Sequence, residues 1–319
     1  CRICDDLYDV PLVNEEGLCT SHHVREVDAA VRHASQQPDW PTSVIDRLAI
    51  RRIAVNVIED SEFPGLPGVG LSVPTWNEAR QWSNKLTESE VPEAMLEEAQ
   101  QAMETTVSDY EDRGIRGMRI SADVFETQCK AAVNLLKPPE GTRLESWQAT
   151  ALLTHALLDV LGDHGMFAQF FLGIERDVGP NTAMAVNDPR RITNLYPLFE
   201  YHDCDLELVS GAPQNNMDIA QAARIYPNAY AGGLWWYNFR SSTYRHTMQV
   251  RMEAVPASKS AIVASDARCI EWCYGKILLV KTLLANFLYD QIAQGWIDRT
   301  DARWVAREWL HDSAARRYT

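Results

Sequence analysis

The chain has 319 residues, 46% of them hydrophobic, enough to bury the core of one α/β barrel or of two smaller domains. Its 44 acidic residues outnumber 30 basic ones, and the formal charge of -14, with no long Lys/Arg run as a local exception, argues against nucleic acid as a partner. No apolar stretch approaches bilayer-spanning length, and the opening Cys1-Arg2-Ile3-Cys4-Asp5-Asp6 lacks the charged-then-apolar order of a signal peptide, so a cytoplasmic protein without membrane contact is expected.

Seven cysteines scattered over this length suit reduced thiols better than a disulfide framework. Cys1 and Cys4 have metal or redox spacing, but no second pair accompanies them, which favours a structural role. His22 and His23 lie ahead of a helical pattern at 24–35, and sequence neighbours on a regular element do not point at one ion, so both are expected to face solvent.

From there short β-branched runs alternate with longer amphipathic patterns, as in βα units on a parallel sheet. Strands are expected at 52–58 and 68–73, joined by Gly- and Pro-marked residues 65–70 that lack the lysine of a phosphate loop. Helices at 76–86 and 91–113 lead to a strand at 115–121, whose Arg119 can face a barrel mouth while Arg116 flanks the strand. Then follow a helix at 144–162, a strand at 167–173, a helix at 190–201, a strand at 205–210, a helix at 216–226 and a strand at 229–235. The next helix, 242–254, carries Arg251 and Glu253, which two-residue spacing keeps from facing each other, so they read as solvated charges or as site residues. A last strand at 261–265 precedes helices at 268–294 and 300–310; Cys269 and Cys273, one turn apart, are expected only to pack.

Seven βα units fall one short of a closed parallel barrel. The expectation is a (β/α)8 TIM-like barrel, one domain over 1–319, whose first βα unit is missing from this chain and whose last strand borders an uncovered edge; an open seven-stranded sheet or a shortened barrel is the alternative. The most informative stretch is Ala261-Ile262-Val263-Ala264-Ser265-Asp266-Ala267-Arg268, an apolar run ending on a carboxylate and an arginine. It places Asp266 and Arg268 at the carboxyl end of a strand, where α/β proteins keep their chemistry. Asp266 admits a second reading as helix N-cap, and Arg268 as the surface partner of Glu271 or Asp266. Trp235 and Trp236, adjacent on a strand, point to opposite faces, so one of them is core.

The run from His164 to the C-terminus resembles the uronate isomerase (glucuronate isomerase) family of the amidohydrolase superfamily. The matching pieces are Gln169 to Asp177, Gly233-Leu234-Trp235-Trp236-Tyr237-Asn238, Val250-Arg251-Met252-Glu253, and Ser265-Asp266-Ala267-Arg268 with Glu271-Trp272 and Gly275-Lys276. The resemblance implies an enzyme interconverting a hexuronate, such as D-glucuronate, and its keto form by moving a proton between C2 and C1. It implies Asp266 as catalytic residue and metal ligand, Arg268 as grip for the substrate carboxylate, and Trp235 and Trp236 as walls of the sugar pocket. A divalent metal, taken as zinc, and assembly as a homo-oligomer belong to the same expectation.

The chain departs from the family pattern in two places. It contains no His-x-His, so the chief metal ligands are lacking, and a lone Asp is a poor divalent site. Phe171 stands where some members carry a histidine. Two other readings therefore stay open: a different metal-dependent enzyme of the superfamily, hydrolytic or decarboxylating, and a noncatalytic degenerate member.

Overall fold

The computed structural model describes residues 2–56, 70–120, 136–138, 143–176 and 183–319, so Cys1 and most of the Gly65–Gly70 loop lie outside the described residues. The chain forms two units, the smaller from the described residues up to Val55, Gly70–Leu71 and Ser265–Thr282, the larger from the rest.

In the smaller unit, helices Arg2–Tyr8, Ser21–Ala34 and Trp40–Arg47 accompany strands β1 (Ile53–Val55) and β2 (Gly70–Ser72), which pair with each other, and the first half of the long helix Ile270–Ala293. Leu7, Val44, Leu48 and Tyr274 form its core. Arg2–Tyr8 and Trp40–Arg47 are helices that the sequence patterns do not announce. Trp40 and Tyr8 stack at 5.3 Å, and the indole N–H and the phenol both donate to Glu271, at 2.9 and 3.2 Å. His23 accepts from the backbone N–H of Thr20 at 3.1 Å and so caps the Ser21–Ala34 helix, which leaves His22 and His23 in separate roles.

The larger unit holds β3 (Gly117–Ile120), β4 (Phe167–Leu172), an antiparallel pair β5 (Ile174–Arg176) and β6 (Ala183–Ala185), β7 (Leu206–Ser210) and β8 (Ala229–Ala231). β3, β4, β7 and β8 lie side by side in that order, all parallel. Two further runs extend this order. Thr75 bridges Arg119 on one side, with the amide of Arg119 donating to Pro74 at 2.8 Å; Ser260 and Val263 bridge Ala231 and Leu234 on the other. Six parallel runs thus follow one another in sequence order, and among the described residues they do not close into a barrel.

Alternate side chains serve two faces, as the pleat requires. Ala168, Phe170, Leu172, Leu206 and Leu208 join Met118 and Ile120 in the main core against the helices Ala79–Glu88, Pro92–Asp112 and Ser146–Asp163. The last helix is buried almost all round, as a helix between a sheet and two neighbours must be.

The expected strand at 229–235 ends at Ala231, and 261–265 is a pair of bridges rather than a regular strand. Arg251 packs at this point; it is 1% exposed and no solvated charge. Its guanidinium donates to the carbonyls of Ala231, Gly232 (2.8 Å) and Ala261 and to Ser260 Oγ (3.1 Å), so a side chain joins the two runs beside the Ala261 amide bond to the Ala231 carbonyl (2.9 Å). Burial pushes its pKa down to about 10. Gly233 permits the approach, since a Cβ there would stand 2.1 Å from the carbonyl carbon of Val263. The expected bare edge is covered at Ile262, whose amide donates at 3.2 Å to the carbonyl of Trp309 in a π-helical turn, Glu308–Asp312. The single helix expected at 190–201 is two, Arg190–Thr193 and Tyr196–Tyr201, because Pro197 starts the second and cannot continue the first.

Candidate functional site

At the carboxyl end of the parallel sheet the inward side chains of β4 and β7, Phe171 and Val209, meet Ile174 and Trp235 in a small buried cluster flanked by Trp236 and Ala264. Trp235 meets Phe171 edge-on, with ring centroids 4.9 Å apart at 77°. The guanidinium of Arg119, at the end of β3, lies 4.1 Å from the centroid of the same Phe171 ring. A planar cation, a phenyl ring and two indoles therefore gather where parallel sheets keep their sites.

A polar network fixes the turn that carries the tryptophans. Asn238, fully buried, donates to the carbonyls of Ser210 (2.7 Å) and Trp235 (3.0 Å) and accepts from Asn216 Nδ2 (3.0 Å). Trp236 sits in the left-handed region at φ +54, a conformation that costs a non-glycine residue free energy unless its surroundings impose it. Because β8 ends at Ala231, the opposite-face expectation does not hold: Trp235 and Trp236 join one cluster, with rings 6.3 Å apart. Trp235 is 5% exposed and its indole N–H has no hydrogen-bond partner among the described residues, so the cluster holds a spare donor.

The amino-end half of the same inner face is filled. Tyr318 donates to Glu207 at 2.6 Å and accepts from Gln169 at 2.5 Å; Arg317 lies 4.2 Å over the Tyr230 ring and 3.7 Å from Glu207. Burial raises the pKa of Tyr318 well above the phenol range and pushes that of the neighbouring Asp205 up. This plug confines the Arg119, Phe171, Trp235 and Trp236 group to the carboxyl-end half of the face.

Asp266 and Arg268 belong to the smaller unit and both are exposed. The helix after them starts at Ile270, four residues past Asp266, so Asp266 is not its N-cap. Asp266 is left-handed at φ +47, and Lys276 reaches back from the helix to the carbonyls of Ser265 and Asp266. Glu271 is engaged by Tyr8 and Trp40. Cys273 is buried, as expected, whereas Cys269 is exposed.

No three His, Cys, Asp or Glu side chains among the described residues converge to hold a metal ion. Asp266 as sole carboxylate does not match the three or four donors a divalent site needs, so the described donor set does not fit the expected zinc. No helix among the described residues is long and apolar enough to cross a membrane.

No family model matches the sequence, and no curated protein does. The fold does have solved counterparts. The uronate isomerase of Thermotoga maritima is 14% identical, with a TM-score of 0.72 over 99% of this chain and 77% of its own. The glucuronate isomerase of Caulobacter crescentus is 12% identical, with 0.66 over 96% and 71%. A protein from Lactobacillus casei ATCC 334, assigned as a metal-dependent hydrolase, is 11% identical, with 0.63 over 98% and 90%. At these identities the likeness establishes the fold: an α/β chain with a parallel sheet, built like the uronate isomerases.

Proposed function

We propose that this chain is an aldose–ketose isomerase acting on a hexuronate such as D-glucuronate, on a (β/α)8 barrel of which the described residues supply six parallel runs. The observation that carries the reading is Arg119 over Phe171 beside Trp235 and Trp236. Indole faces suit the apolar side of a sugar ring, and a guanidinium suits a carboxylate, which a neutral hexose lacks. The named relatives of like fold support the choice of substrate.

The roles proposed for Asp266 and Arg268 rest on the sequence resemblance. Arg268 is the alternative to Arg119 as the grip on the uronate carboxylate, through a two-bond fork. Asp266 takes the proton from C2 and returns it to C1, while the O2 proton passes to O1, so that aldehyde and ketone exchange places with no net change in composition. No step is assigned to a metal, since the described donors do not fit one.

Self-association and a cytoplasmic location complete the proposal. Tyr289, Trp296 and Trp304 are 71, 75 and 52% exposed, as aromatic groups are where a second subunit covers them. Free thiols at Cys4, Cys19, Cys204, Cys269 and Cys273 suit a reducing compartment.

The second reading, a noncatalytic binder of sugar acids, is favoured by the missing metal donors. Calorimetric titration with D-glucuronate and with D-glucose, followed by proton NMR of the mixture, separates the two. The isomerase binds the acid in preference to the neutral sugar and forms a keto product. A binder shows the preference without product, and equal affinities contradict both.

A further inference from the structure

We infer that Lys276 is the positioning residue that holds the Asp266 turn in its working conformation, an inference that rests on the proton-carrier role proposed for Asp266. Asp266 is exposed and left-handed, at φ +47, a region that aspartate visits more readily than most residues but still at a cost, so contacts that fix the turn there decide how steadily it is held. Lys276, on the second turn of the helix Ile270–Ala293, donates to the carbonyl of Ser265 and reaches that of Asp266 at 3.5 Å, so one ammonium ties down the peptide groups on both sides of the Asp266 Cα.

The lysine is itself held. Its ammonium lies 5.9 Å from the Trp272 ring, and its helix is pressed in place at Gly275, where an added Cβ would stand 2.3 Å from Ile3 Cδ1. Two groups of the helix thus bear on the path of 265–266: Gly275 lets Arg2–Tyr8 approach, and Lys276 bonds the main chain. Because the ammonium bonds the main chain of the turn and lies within electrostatic reach of the Asp266 carboxylate, Lys276 acts through Asp266 rather than on substrate. A fixed turn also fixes where the Asp266 carboxylate projects, and misplacing a proton carrier by about 1 Å can cost on the order of a hundredfold in rate.

The test compares Lys276→Met, which keeps the alkyl stem but loses the donors, with Lys276→Arg, which restores donors at similar reach. Amide hydrogen exchange across 264–269, kcat and KM for D-glucuronate, and melting temperature are read for both, beside Asp266→Asn. The expected result for Lys276→Met is exchange faster by about tenfold or more at 264–269 and kcat lower by about tenfold or more, at a KM within about twofold. Lys276→Arg recovers most of both. Exchange as slow as in the unsubstituted protein overturns the inference whatever the activity, and so does a kcat loss without faster exchange, which would place Lys276 on the substrate. Should Asp266→Asn turn over at the full rate, the proton-carrier reading falls alone, and the exchange measurement still decides whether Lys276 holds the turn.

Discussion

The guanidinium of Arg119 lies 4.1 Å over the ring of Phe171, at the carboxyl ends of two adjacent parallel strands. A guanidinium is matched in shape and charge to a carboxylate, which is what a uronate offers and a hexose does not. Arg119→Met, which keeps the stem on the ring, is expected to weaken D-glucuronate binding by about 1–3 kcal/mol and leave D-glucose binding unchanged. Calorimetry with both sugars checks it, and equal losses would assign Arg119 to packing.

Arg251 joins β8 to the 260–261 run with a buried guanidinium fork. Arg251→Met removes the fork and strands several carbonyls, with an expected loss of roughly 3 kcal/mol in unfolding free energy. Arg251→Lys should recover little, because one ammonium cannot span both runs as the planar fork does. Urea denaturation of the two variants reads the difference.

His164, just after the helix Ser146–Asp163, sits between Glu111 (2.6 Å) and Glu104 (2.8 Å) of the helix Pro92–Asp112. The hydrogen bonds to Glu111 and then Glu104 hold its pKa above the ordinary 6.5. A raised folded-state value means that the stabilisation is fully present below about pH 6.5 and fades as pH rises through the folded pKa. His164→Asn should therefore lose most stability, relative to the unsubstituted chain, at the acid end and progressively less above neutrality. Denaturation midpoints measured from pH 5.5 to 8.5 test this, and a penalty that grows with pH would contradict it.

Much of the fold can be read in the sequence where one residue pattern meets one environment. The 92–112 and 146–163 helices and the β4 and β7 strands appear within a residue or two of their expected bounds. The reading goes wrong where a side chain takes over from the backbone. Arg251, which resembles a surface charge in the sequence, is buried where β8 ends and where the next run is reduced to bridges. Likewise Tyr318 and Glu207 meet across 111 residues, and no local pattern announces that the end of the chain fills the inner face. Of the candidate residues, the aromatic pair and Asp266 with Arg268 were legible as residue types, but the left-handed turns at Trp236 and Asp266 were not, since neither is a glycine.

The central claim is that the chain moves a proton between C2 and C1 of a hexuronate through Asp266. Incubating it with D-glucuronate in deuterium oxide and following the sugar by NMR measures that transfer directly. The account predicts keto product and solvent deuterium appearing at C1 or C2, with both rates about a hundredfold lower in Asp266→Asn at an unchanged melting temperature. Undiminished exchange in Asp266→Asn, or no exchange at either carbon in the unsubstituted protein at saturating D-glucuronate, would contradict it.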